Sequence, residues 1–230
     1  MLLRLAPDLA RRAVAEAVGT GLLVPAVVVS GIAATRLSPQ DVGLQLLENA
    51  VATAAALVAI ILTLGSVSGA HLNPAVTLAA RAAGAMDNAE AGAYCAAQVA
   101  GGAAGAIVAN LMFSLPALEL STQARSSGGL WLGETVAAFG LVLVVLGVAR
   151  SACPAAAPFA VAAYIGGAYF FTSSTSFANP AVTLGRTLSD SFAGISPASV
   201  PAFVAAQLLG AVLAVALARF LFPIKEIADA

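Results

Sequence analysis

Long apolar runs separated by short polar breaks organise this chain. The pattern predicts six helices, at about 10–34, 44–66, 89–113, 129–150, 156–175 and 198–222. Each is near the roughly 20 residues that a helix needs to cross a bilayer. The breaks hold residues that start and stop helices. Ser38-Pro39-Gln40-Asp41 divides the first from the second, and Met86-Asp87-Asn88 precedes the third. A Ser- and Gly-containing stretch, Leu115 to Gly129, precedes the fourth. Pro154 and Pro158 bracket the next turn, and Ser196-Pro197 opens the last helix. The first apolar run, Ala13 to Ala34, is too long for the apolar core of a signal peptide, about 7 to 15 residues.

Two shorter apolar pieces remain, Asn73 to Ala83 and Asn179 to about Ser189. Each is about half a span, near 15 Å at about 1.5 Å per residue. Both open with the same six residues, "NPAVTL". Asn is a strong N-cap and Pro suits the first helical position. The Asn-Pro pairs therefore start helices rather than break them.

The two halves echo each other further. "AAQVAGG" (Ala96 to Gly102) matches "AAQLLGA" (Ala205 to Ala211), and Glu16 and Glu134 both come early in the first helix of their half. Three spans per half is an odd number, so the second half must lie inverted relative to the first. The half-helices then enter from opposite sides, with both N-termini near the midplane. The non-helical backbone before each cannot face lipid and must line protein or a water-filled path. A pore at the repeat interface follows. The expected organisation is one membrane domain, 10–222, with repeats at about 10–113 and 129–222 and a linker at 114–128. Residues 1–9 and 223–230 form cytoplasmic ends.

Composition supports a lipid environment. The 230-residue chain is 60% hydrophobic and 9% charged, with mean hydropathy +0.97; soluble domains carry about 25% charged residues. The net charge of −1 argues against a nucleic-acid partner. One histidine and no Cys/His cluster predict no metal. Cys95 and Cys153 read as small buried apolar residues. No cofactor motif and no nucleophile beside a base point to an enzyme. With the N-terminus inside, Arg4, Arg11, Arg12, Arg81, Arg150, Arg219 and Lys225 are cytoplasmic, against Arg36, Arg125 and Arg186 outside. That bias obeys the positive-inside rule.

"SGAHLNPAV" and a second "NPA", in an inverted six-span frame, resemble the major intrinsic protein family, the aquaporins and aquaglyceroporins. The resemblance covers about residues 10–222. It implies an all-α membrane fold of six spans and two half-helices, and a homotetramer of independently conducting protomers in the inner or plasma membrane. It also implies passive passage of water or small neutral solutes. Asn73, Pro74 and Ala75 would meet Asn179, Pro180 and Ala181 at mid-membrane. Each half-helix N-terminus carries roughly +0.5 charge, which disfavours cations there. By the family pattern the backbone carbonyls of Gly69, Ala70, His71, Thr175, Ser176 and Phe177 line the path, with His71 a fixed polar group. Glu16 and Glu134 would hold the loops that lead into the half-helices, and Gln98 and Gln207 would brace helix packing.

By spacing, the family's outer constriction falls on Thr53, Gly167, Ser176 and Val182. Val182 stands where the family almost always has Arg, and Thr53 where an aromatic is usual. Small side chains at all four positions predict a wide, neutral opening. This pattern resembles a bacterial branch of aquaglyceroporins associated with arsenic resistance, which implies neutral metalloid hydroxides such as arsenous acid, with glycerol or urea. Arg186, four residues past Val182, would lie on the same helix face and place a positive charge in the outer vestibule, or else anchor the interface beside Asp190. Two further readings stay open: a channel mainly for water, and an ion- or proton-coupled transporter, whose fold also uses inverted repeats.

Overall fold

The computed structural model describes residues 7–223. Arg4, Lys225, residues 1–6 of the N-terminal segment and 224–230 of the C-terminal tail lie outside the described residues. Eight α-helices follow in order: α1 (Pro7–Leu37), α2 (Val42–Ser68), α3 (Pro74–Ala82), α4 (Asn88–Met112), α5 (Gly128–Ala149), α6 (Ala157–Phe171), α7 (Pro180–Gly185) and α8 (Val200–Leu221). Six stretches are long and apolar enough to cross a membrane, and α3 and α7 are the two short ones. No strand occurs among the described residues.

Local chemistry explains the starts. Asp41 caps α2 by accepting from the Leu44 amide at 2.9 Å. Asp87 and Glu90 form a reciprocal capping box on α4, and Ser127 caps α5. The ends are less regular. The fifth spanning helix stops at Phe171, four residues short of the expected 175, because Thr172 to Ser174 form a turn. The second half-helix gives way after Gly185 to a 3-10 turn, Arg186–Leu188.

Helix pairing follows the sequence echo. The closest partners are α1 with α4 and α5 with α8. Glycine permits both approaches. A Cβ on Gly101 would run into the Ala17 carbonyl, and one on Gly210 into the Thr135 carbonyl. Small residues at such crossings let helix backbones pack closely where lipid removes the hydrophobic drive for association. The short helices α3 and α7 pack inside this frame: α3 contacts α4, α5 and α8, and α7 contacts α4, α8 and α1. One cysteine expectation is corrected: Cys153 is exposed in the turn before α6, and Cys95 is half-buried. The apolar run that suggested burial of Cys153 breaks at Arg150 and Ser151, ahead of the Pro154 turn.

Candidate functional site: a central cavity between two half-helices

A cavity of about 120 Å³ runs beside the tips of α3 and α7. The loops before those tips share an unusual backbone. Ala70 and Ser176, three residues before each Asn, have φ of 47° and 50°. Leu72 and Ala178, one residue before each Asn, have φ of 53° and 49°. Such left-handed conformations are costly for residues with a Cβ, about 1 kcal/mol or more each. Something must hold them.

Two buried carboxylates do. Glu16 accepts from the His71 amide at 2.9 Å and from the Leu72 amide at 2.6 Å. Glu134 accepts from the Phe177 and Ala178 amides, both at 2.9 Å. Both glutamates are fully buried. The glutamines complete each set. Gln98 donates to Glu16 at 2.7 Å and to Thr77 at 2.9 Å. Gln207 donates to Glu134 and to Thr183.

This anchoring sets the direction of the carbonyls. In a trans peptide the N–H and the preceding C=O point opposite ways. Turning the amides of His71 and Leu72 toward Glu16 turns the carbonyls of Ala70 and His71 away from it. The same holds for the carbonyls of Ser176 and Phe177 relative to Glu134. Gly69, Ala70, His71, Ser176 and Phe177 all line the cavity. Thr175 does not; it borders a second recess of about 220 Å³.

The asparagines tie the halves together. Asn73 accepts from the Ala75 amide at 2.9 Å, and Asn179 from the amides of Ala181 at 3.0 Å and Val182 at 3.2 Å. Each side-chain amide also donates across the repeat boundary, Asn73 to the Ala178 carbonyl and Asn179 to the Leu72 carbonyl. Both asparagines line the cavity. An amide nitrogen carries two hydrogens, so each Asn keeps one that these bonds do not use. Pro74, Ala75, Pro180 and Ala181 are buried behind them.

Much of the remaining lining is apolar, including Leu57 and Ile61 of α2 and Val161 and Ile165 of α6. The lining thus combines the loop residues and asparagines with hydrocarbon side chains. No acidic residue is among those lining it.

Thr53, Ser176 and Val182 line the cavity and are buried. Gly167 does not join them. It lies on the exposed outer face of α6, near Phe171. The cavity-facing residues of α6 fall every fourth place, at Ala157, Val161, Ile165 and Tyr169. Gly167 is two residues from either neighbour of that series, about 200° around the helix. Tyr169, rather than Gly167, is the α6 residue beside Thr53, with its hydroxyl 3.0 Å from that of Thr53. Counting from the motif missed Tyr169, although the four-residue spacing in the sequence carried the signal.

Arg186 is almost fully buried and lines both the cavity and the second recess. It has no ion pair with Asp190, which instead accepts from the Thr122 amide at 2.9 Å. The interface-anchor alternative thus loses its partner. Arg125, from the loop before α5, also borders the recess. Burial pulls the Arg125 pKa down from its ordinary value, yet an arginine remains protonated at neutral pH.

Comparison with known proteins agrees with this architecture. The family model "Major intrinsic protein" matches residues 5–177 and 151–229. The chain is 52% identical over 214 residues to aquaglyceroporin AqpS of Rhizobium meliloti (strain 1021), covering 93% of this chain and 91% of the relative. It is 32% identical over 239 residues to a probable aquaporin, AqpM, of Archaeoglobus fulgidus, covering 93% and 97%. The X-ray structure of the aquaglyceroporin from Plasmodium falciparum superposes with a TM-score of 0.72 over 94% of this chain and 98% of that one. At 20% identity this is a likeness of fold.

Proposed function

The chain belongs to the major intrinsic protein family, and from that premise we propose that it is a passive pore whose constriction is widened by an alkyl side chain, Val182, in place of an arginine. It conducts glycerol, urea and uncharged metalloid hydroxides such as arsenous acid, together with water. As a family member it is a multi-pass membrane channel for water and small neutral solutes, not an enzyme. The relative named aquaglyceroporin supports the larger-solute side of the reading.

One observation carries it. Val182, directly after the second Asn-Pro-Ala, is buried in the cavity wall beside Thr53 and Ser176. A branched alkyl group there takes less of the bore than an arginine, and it offers no oriented donors. Tyr169 completes the constriction in place of Gly167. A solute hydroxyl can then exchange water for the carbonyls of Ala70, His71, Ser176 and Phe177 and the amides of Asn73 and Asn179. Its less polar face slides on the hydrocarbon wall. A charged species loses its hydration without equal repayment, and the opposed N-termini of α3 and α7 further disfavour cations. The channel unit is the inverted pair of repeats, assembled as a homotetramer. It lies in the cell membrane with both termini cytoplasmic, as the arginine bias supports.

The test is flux of arsenous acid, glycerol and water through the reconstituted protein, wild type against Val182→Arg. The substitution is expected to cut large-solute flux about tenfold or more relative to water. Unchanged large-solute flux would remove Val182 from the constriction. A second reading, a channel mainly for water, draws on the Tyr169–Thr53 hydroxyl contact at 3.0 Å, which narrows the outer end. It predicts stopped-flow water permeation with little glycerol or urea entry. Coupled transport has less support, because Glu16 and Glu134 spend their oxygens on loop amides.

A further inference from the structure

Beyond Val182 the outer wall turns cationic. Arg186 is rooted one turn further along, about 6 Å by helical rise. A helical side chain leans back toward the N-terminus of its helix, and arginine is long enough to recover a turn. The guanidinium carbon lies 3.3 Å from the ring centroid of Phe177, which lines the same cavity as Val182. The Arg186 Nε donates to the Ala193 carbonyl. Its terminal nitrogens donate to no described residue, and Arg186 lines both the cavity and the recess.

Arg125 approaches the same ring from the preceding loop, with its guanidinium carbon 5.1 Å from the Phe177 centroid. It donates to the Gly194 carbonyl at 2.8 Å and the Phe192 carbonyl at 3.3 Å. Neither guanidinium meets a carboxylate among the described residues. Asp190 is turned to Thr122, and Glu134 is spent on the loop amides. The cytoplasmic side differs. There Arg12, stacked on Tyr94, is neutralised by Glu90 at 2.7 Å.

We propose that Arg186, backed by Arg125 across the Phe177 ring, is the charge barrier of this pore and supplies from the side the guanidinium that Val182 does not. The inference rests on the reading that the level of Val182 is the outer constriction. Cations entering the mouth meet two uncompensated positive charges in poorly solvated surroundings, where repulsion is screened little. Neutral solutes meet no such penalty. Because Arg186 is held against Phe177 and Ala193, the bore keeps its width while excluding cations.

The test uses the full chain in proteoliposomes, measuring glycerol entry and sodium and proton leak in the same vesicles. Arg186→Gln is expected to raise the ratio of cation leak to glycerol entry in the same vesicles at least about tenfold. Arg125→Gln raises leak about threefold, and Arg186→Lys, which keeps the charge, stays near wild type. A glycerol-conducting Arg186→Gln with wild-type leak overturns the proposal. So does equal leak from Arg186→Lys and Arg186→Gln. Should Arg186→Gln not assemble, Arg125→Gln reads the same barrier, and wild-type leak there overturns it. Failure of the constriction reading has a separate signature: Val182→Arg leaves solute discrimination unchanged, whatever the arginine series does.

Discussion

Asn73 and Asn179 exchange hydrogen bonds across the repeat boundary. Each donates at 2.8 Å to the carbonyl of the residue before the other, Asn73 to Ala178 and Asn179 to Leu72. The same two side chains cap α3 and α7. One residue type thus starts both half-helices and locks their tips together.

Removing one of these asparagines costs a cap and a cross-repeat bond at once. A cap contributes about 1 kcal/mol, and a buried hydrogen bond a similar amount plus the penalty of an unpaired carbonyl. Asn179→Ala is expected to destabilise the protein by about 2–4 kcal/mol. Thermal unfolding in detergent checks this. A midpoint equal to wild type would mean the tips are held by something else.

The carboxylates are expected to tolerate even less. In Glu134→Gln an NH2 replaces an oxygen that accepts from a loop amide or from Gln207. Donor then faces donor in a buried site, and the strained loop at Ser176 and Ala178 loses its anchor. The expected loss is about 3 kcal/mol or more, with neutral-solute flux reduced at least about tenfold. Glu16→Gln should behave alike. Full flux from either variant would show that the loops hold their shape unaided.

Helix α6 offers a sharp contrast between two nearby positions. Tyr169→Ala opens the outer end beside Thr53 and is expected to raise the glycerol-to-water flux ratio about threefold or more. Gly167→Ala puts a methyl group on the outer face, near only the Phe171 side chain, and should leave that ratio unchanged. The opposite result would return Gly167 to the constriction and turn Tyr169 out of it.

Close helix crossings predict a second contrast. Gly101→Ala drives a methyl group into the Ala17 carbonyl, whereas Gly65→Ala meets nothing within 4 Å. Overpacking of that kind costs about 1–3 kcal/mol. A thermal scan of the purified variants should therefore lower the midpoint for Gly101→Ala and spare Gly65→Ala.

Features set by short-range chemistry were legible in the sequence. Asn-Pro at Asn73 and Asn179 starts helices because capping needs only the next few residues. Span lengths follow from lipid thickness, and the inverted frame follows from an odd span count. The partnership of Glu16 with the first loop and Glu134 with the second came through family resemblance, since no local rule joins residues so far apart in the chain.

What the tertiary structure alone decided is which side chains line the cavity beside Val182. Spacing from a motif gives depth, but each helical residue turns the face by about 100°. An uncertainty of two residues at the end of α6 therefore exchanges Gly167 for Tyr169. Arg186 shows the same limit from another direction. The sequence placed it one turn beyond Val182, but its contact with Phe177, its bond to Ala193 and its separation from Asp190 depend on how the second loop folds. The sequence determined that two capped half-helices meet within an apolar frame, because caps, lengths and repeats are properties of short segments. Folding decided which side chains line the cavity, because helix rotation and the course of long side chains are fixed only by packing.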